Sequence, residues 1–436
     1  MRGEYDLKHV AVPAVTDVAP MMDELNVNSF LKLGYFIRYA KVRQPLDYSR
    51  IDKSSYRALP SSQLAKIGVE KLRASIAQDF RRTDEHVVPM SGGMDSRLIL
   101  AALLEFTDAS NIHTYTYGIP GSYDYEIGCL VAKHAGTRHT PFAMNGYTYH
   151  EDELLDFADR ADCQAVLFYQ GPIRELSRRY SSSVIWSGYV GDAVAGSALR
   201  TPASTSIIEA KKRYLFHRAF VRSPKLHNCA DSEFLPHMAG GAQDPNTLTY
   251  DEQVLFDEGV HKFTASHNLL KGFHYKTPLI NSPWMDFMFS VPNELRLGEQ
   301  LLVQLATSAF PKLFSLPTKN TQGWKLGSSS KLISATKWVN KARKLTHRVF
   351  PTVGYPLTMY NDFDEGIRNS PDLRRVVRSN LEDLKRRQIV DWIDFDALWK
   401  RHDWRTANHG LALIILASLE LNLKAMARRQ RPAHAQ

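Results

Sequence analysis

The sequence predicts an α/β domain built on a parallel sheet, with a mostly helical C-terminal part. Three observations carry this. Between residues 61 and 188, short apolar runs alternate with segments of helical periodicity, the pattern of strands whose sheet is covered on both faces. One junction, "HVVPMSGGMDSRLILAALLE" at 86–105, passes from an apolar run through two adjacent glycines into a second apolar run, a strand–turn–helix unit. The 436-residue chain, 44% hydrophobic, is long and apolar enough to bury sizeable cores.

The elements follow in order. Residues 1–60 are mixed, with "YFIRYAKV" at 35–42 strand-like and "RALPSS" turn-like, and are too short for an independent domain. "SSQLAKIGVEKLRASIAQDF" (61–80) spaces Leu64, Ile67, Val69, Leu72, Ile76 and Phe80 near-helically behind a serine cap. "HVVPM" then reads as a strand, "SRLILAALLEF" as a helix, "IHTYTYG" as a strand, and "DYEIGCLVAKHAG" and "PIRELSRRY" as helices. "SSVIWSG" at 182–188 is the third strand. Such sheets bind ligands beyond the carboxyl ends of their strands. The loop-rich segment 221–250 reads as a mobile insertion over the site. The chain continues helical to about 425 and ends in a basic tail, 426–436.

The net charge of +9 suits anionic ligands such as nucleotides. Three cysteines with no CxxC spacing indicate neither a disulfide framework nor a zinc site, and point to a reducing compartment. The N-terminus "MRGEYDLKHVAVPAV" is charged where a signal peptide is apolar, and no uninterrupted apolar run approaches the roughly 20 residues that span a bilayer. A cytoplasmic protein without a membrane partner is expected.

In "SGGMDS", Ser91, Gly92 and Gly93 sit where the first strand ends and Ser96 where the helix begins. Glycines let successive amide hydrogens turn inward, and the helix N-terminus adds partial positive charge, so the turn can cradle phosphate. Asp95 would repel phosphate unless a divalent cation, Mg²⁺, lies between them; the alternative is that Asp95 only caps its helix. Later, "WSGYVGDAVAG" (186–196) brings Ser187, Gly188, Tyr189 and Asp192 to the end of the third strand, where Asp192 can share a cation with Asp95.

These motifs resemble the SGGxDS and SGxGxDE loops of the N-type ATP pyrophosphatases (PP-loop, adenine-nucleotide α-hydrolase-like fold), and specifically the synthetase domain of the asparagine synthetase and β-lactam synthetase family. Val190 and Ala193 depart from the second loop's glycine and glutamate. Gly118, Asp124, Ala132, Gly136 and His139 meet the family's G and D-x7-A-x3-G-x2-H pattern; Gly118 falls on the strand that contacts adenine, Asp124 reads as a helix cap and His139 as a packing residue. In the fourth block Gly272, Pro278, Pro292 and Arg296 agree, whereas His274, Lys276 and Asn281 replace a glutamate, an arginine and an aspartate.

The resemblance implies binding of ATP and Mg²⁺ and attack of a carboxylate on the α-phosphate. An amine or ammonia would then displace AMP. Tyr189 would serve as base, as in the tyrosine subgroup, paired with His274 or with His274 purely structural. The family lysine would fall on Lys325, with Lys319 the alternative if the loop is registered differently. The first sixty residues resemble only the linker end of a glutaminase domain, and Arg2 stands where that domain has its cysteine. Ammonia would therefore come free or from a separate biosynthetic partner, or the nucleophile would be an amine. The expected architecture is a segment 1–60, a synthetase-like domain 61–425 with the insertion 221–250, and the tail. Two alternatives stay open: a tRNA- or nucleobase-adenylating enzyme, although nucleic acid is not the expected partner, and an ATP-binding homologue without activity.

Overall fold

The computed structural model describes residues 23–39, 41, 46–169, 171–350, 354, 357 and 361–430. Arg2 and residues 431–436 lie outside them. In chain order, helices α1 (Glu24–Leu33) and α2 (Ser61–Asp79) precede strand β1 (His86–Pro89), which runs through the Ser91 loop into α3 (Asp95–Leu103). Strand β2 (Ile112–Gly118) leads into α4 (Tyr123–Ala135), and β3 (Arg138–Ala143) into α5 (Glu151–Arg160). Helix α6 (Ile173–Tyr180), β4 (Val184–Trp186) and β5 (His274–Lys276) complete the sheet region, and the chain beyond is helical.

The five strands form one sheet, ordered β3-β2-β1-β4-β5, with every neighbouring pair parallel. The order reverses between β1 and β4, so the loops after these two strands diverge and leave a crevice at the carboxyl edge. Buried Trp186 donates to His86 Nδ1 (3.1 Å), tying β4 to β1 at the base of that crevice. Ser122 Oγ accepts from the Tyr125 amide at the start of α4, and Gly136 in left-handed conformation (φ 81°) ends the helix. Helix α2 packs on the helices Ser282–Ser290 and Gln300–Ala309 through Gly68, where a β carbon would stand 2.4 Å from Leu305 and 2.9 Å from Phe287.

A second apolar cluster joins α1 and α5 to the helices Pro371–Arg387 and Gly410–Gln430. Gly410–Gln430 is long and apolar enough to cross a membrane by length and composition (mean hydropathy 1.6), but 83% of that window is buried inside the fold. Its polar residues are used internally: Ser418 Oγ accepts from the Leu167 amide, Asn422 donates to the Ala165 carbonyl and Glu420 pairs with Arg387.

Several expectations are corrected. Residues 35–39 form bends and turns, not a strand, with Tyr35, Phe36 and Ile37 buried. Helix α2 follows Pro60 and carries no side-chain cap. Residues 426–430 continue the last helix. The segment 221–250 lines no part of the crevice: Phe234, Met238 and Leu248 insert into the core, and Lys32–Asp231 and Lys211 to the Met238 carbonyl fasten it to α1 and to the helix Ile207–His217. Strands β3 and β5, at the two edges of the sheet, add to the three strands that the sequence predicts.

Candidate active site

The crevice at the strand-order reversal is a cavity of about 430 Å³. Ser91, Gly93, Asp95 and Ser96 line it from one side, and Ser187, Gly188, Tyr189 and Asp192 from the other. The first loop is held by its own groups. The Gly93 amide donates to Ser91 Oγ (3.2 Å), and the Ser91 amide donates to Ser96 Oγ (3.4 Å). Gly92 is compelled to be glycine, since a β carbon would stand 2.9 Å from the Tyr123 carbonyl oxygen. At Gly93 a β carbon would stand 3.3 Å from Ser91 Oγ and 3.8 Å from Lys319 Cε, closer to the serine than an ordinary contact.

The second loop reaches the first through glycines as well. A β carbon on Gly188 would lie 2.8 Å from Asp95 Cβ, and one on Gly191 would lie 2.8 Å from Asp95 Oδ1. Between these two glycines Val190 adopts left-handed backbone (φ 55°), a costly conformation for a β-branched residue. This is the position where the resembling family has glycine, and the backbone shows why.

Asp95 makes no capping hydrogen bond to its own helix. Its Oδ2 accepts from the Asp192 amide (3.3 Å), whereas its Oδ1 is buried without a hydrogen-bond partner. Burial raises the Asp95 carboxyl well above the ordinary range, and the nearby Asp192 and Glu299 raise it further. Glu299, which the sequence reading missed, lines the cavity with its carboxyl pushed up to about 7 by burial and by Asp192. An orphaned buried oxygen facing two further carboxylates is a donor set that a divalent cation fits, with Asp95 and Asp192 as the residues that would hold it. Among the described residues, no three acidic, histidine or cysteine side chains form a ready metal cluster.

The cation opposite these acids is Lys319. Its Nζ pairs with Asp124 (2.9 Å to Oδ1), and its amide donates to the Gly92 carbonyl (2.9 Å). Asp124, buried in the first turn of α4, also accepts from the Gly92 amide (3.0 Å). Its role is thus to bind the phosphate-type loop and the lysine; Ser122, not Asp124, caps α4. The turn that presents Lys319 is fixed from beneath by fully buried Arg97, which donates to the carbonyls of Leu313 (3.2 Å), Leu316 (3.1 Å) and Pro317 (2.6 Å).

The other expected residues divide. Tyr189 is buried at the cavity, its hydroxyl 3.5 Å from the Val260 carbonyl in a π-helical stretch, Leu255–Thr264, whose Thr264 also lines the cavity. His274 is not brought there. It opens β5 in register with Val184, at the opposite end of the strand from Ser187, and is exposed. Lys325 is exposed and lines none of the cavity; it bridges to Pro317 across the turn, so Lys319 occupies the place expected of it. The Gly118 carbonyl is taken by the Met144 amide (2.9 Å), and Tyr117 is the β2 side chain that faces the cavity. His139 packs as read, bonded to Thr114 Oγ1 (2.9 Å). Lys276 and Asn281 both bind Asp79 of α2, and buried Arg296 pairs with Glu252 (2.8 Å) while donating to the Val194 carbonyl (2.8 Å) behind the second loop.

Residues 69–246 match the family model for asparagine synthase. Over 112 residues the chain is 30% identical to a putative asparagine synthetase [glutamine-hydrolyzing] 2 of Methanocaldococcus jannaschii. That stretch covers 24% of this chain and 21% of the relative, so the match spans about a fifth of that protein's length. The matched stretch contains both glycine loops, Asp95, Asp124, Tyr189 and Asp192. Glu299 and Lys319 join its cavity from sequence beyond the matched stretch.

Proposed function

We propose that this chain is an ATP-dependent, amide-forming ligase that adenylates a carboxylate. The observation that carries this reading is Asp95: a buried carboxylate with one unpartnered oxygen, between two glycine loops at the strand-order reversal, facing Lys319 across the cavity. Ser91, Gly93 and Ser96 bind the β- and γ-phosphates of ATP, and Ser187 and Gly188 bind from the other loop. Asp95 and Asp192 would hold Mg²⁺, which would neutralise charge on the phosphate oxygens.

The substrate carboxylate oxygen bonds to the α-phosphorus as the bond to the bridging oxygen breaks, and pyrophosphate leaves. Lys319 stabilises the negative charge that accumulates on the α-phosphate, a role suited to a compact ammonium on a flexible stem. The amine nitrogen then bonds to the acyl carbon as the bond from that carbon to the bridging oxygen breaks, AMP leaves with this former carboxylate oxygen, and the amine sheds a proton. Tyr189 orients the nucleophile, with Glu299, whose carboxyl titrates near neutrality, as the cavity group able to take that proton. The nucleophile is ammonia or an amine. The test is product analysis. Incubation with ATP, Mg²⁺ and pools of carboxylates and amines should yield AMP and pyrophosphate in equal amounts with a product formed by loss of water. Release of ADP and phosphate instead would exclude adenylation.

A further inference from the structure

The helix Ser330–Val349 follows the Lys319 turn and stands largely in solvent. Its sequence, SKLISATKWVNKARKLTHRV, holds six lysines and arginines and no aspartate or glutamate. Its inner side rests on Ile333, Thr336, Asn340 and His347. At 3.6 residues per turn, Leu332, Trp338, Val339 and Leu345 fall within one outward arc of about 140°. Trp338 is 72% exposed and Leu345 68%, and Phe350, just past the helix end, is 60% exposed. Lys337, Lys341 and Lys344 border this arc on one side and Arg343 on the other; Lys331 stands within it at the start of the helix, and Val339 and Arg343 also line a groove beside Tyr123.

We propose that this helix docks the protein on an anionic phospholipid surface. A bilayer interface offers an apolar layer beneath a layer of phosphates, the order in which the helix presents its groups: the Trp338–Leu345 arc enters the acyl boundary while the flanking lysines reach the headgroups. The face is a convex ridge, so it needs a plane or a groove. Uniform positive charge selects an anionic partner, and the exposed indole suits an interface that is apolar on one side and wet on the other. The expectation of no membrane partner rests on the lack of a spanning run, and an interfacial helix requires none. Docking would sit one hydrogen bond from the site, since Trp324 Nε1 donates to Thr336 Oγ1 and Asn340 donates to Gln322, both across to the turn that carries Lys319.

The test uses the full chain and sedimentation with vesicles of phosphatidylcholine, with and without phosphatidylglycerol. Binding is expected to the anionic vesicles and to weaken by at least about tenfold on neutral vesicles, in high salt, and in the Lys337→Glu/Lys341→Glu variant. Trp338→Ser should weaken it comparably, with unchanged melting temperature because its side chain supports no core. Failure to bind anionic vesicles, binding that survives both variants, or retention by nucleic acid or an acidic protein in place of vesicles would each overturn the proposal.

Discussion

At the residue scale, the site concentrates cost where a ligand would relieve it. Glu299 has its carboxyl raised to about 7. An acid whose folded value exceeds its unfolded value destabilises the fold once ionised, so its effect is absent below about pH 4.5 and complete above pH 7. Glu299→Gln is therefore expected to change stability little at pH 4 and to raise it by about 1–2 kcal/mol at pH 8 after allowance for solvent screening. Urea denaturation at the two pH values reads this out, and an equal effect at both would refute it. Val190 gives a second case. Val190→Gly relieves about 1–3 kcal/mol of backbone strain and forfeits about 1.5–3 kcal/mol of side-chain burial, so its net effect should lie within about 2 kcal/mol of zero. Val190→Ala loses burial yet keeps a β carbon in left-handed backbone, and should be the less stable of the two by about 1 kcal/mol. The same denaturation series ranks them.

At the scale of elements, the Lys319 turn shows how a loop residue is made precise. Arg97 leaves the phosphate-type loop at the start of α3 and turns away from the cavity to bind three carbonyls of the turn. Arg97→Met should cost about 2–4 kcal/mol, because three buried carbonyls lose their charged donor. Lys319→Ala should lower the rate of pyrophosphate release about a hundredfold or more, whereas Lys325→Ala should leave it within about twofold. Equal losses would return Lys325 to the site. Much of this was legible in the sequence: "SGGMDS" and "SGYVGD" each carry their own turn chemistry, and the structure brings both to one cavity. What was not legible depends on approach through space. Glu299 arrives from the turn Leu297–Glu299 with no local signature, Lys319 is legible only as the alternative to Lys325 because sequence alone does not register its loop, and His274 lies in a block that resembles the family but on a strand that places it at the far edge. Strand β3, "RHTPFA", lacks the apolar run that betrays a buried strand because it is the sheet's edge, half exposed along its length.

At the scale of the molecule, strand order explains why the site exists where it does. A sheet of order β3-β2-β1-β4-β5 parts its connections between β1 and β4, and both glycine loops leave from those two strands. The helical remainder supplies what the loops lack: a lysine and a glutamate at the cavity, and Arg296 behind the second loop. Isotope exchange between pyrophosphate and ATP, measured with a carboxylate the enzyme accepts, tests this account most directly. Wild-type protein should catalyse exchange that depends on Mg²⁺ and on the carboxylate, and Asp95→Asn should abolish it while melting no lower than wild type in the absence of metal. Undiminished exchange by Asp95→Asn would contradict the account.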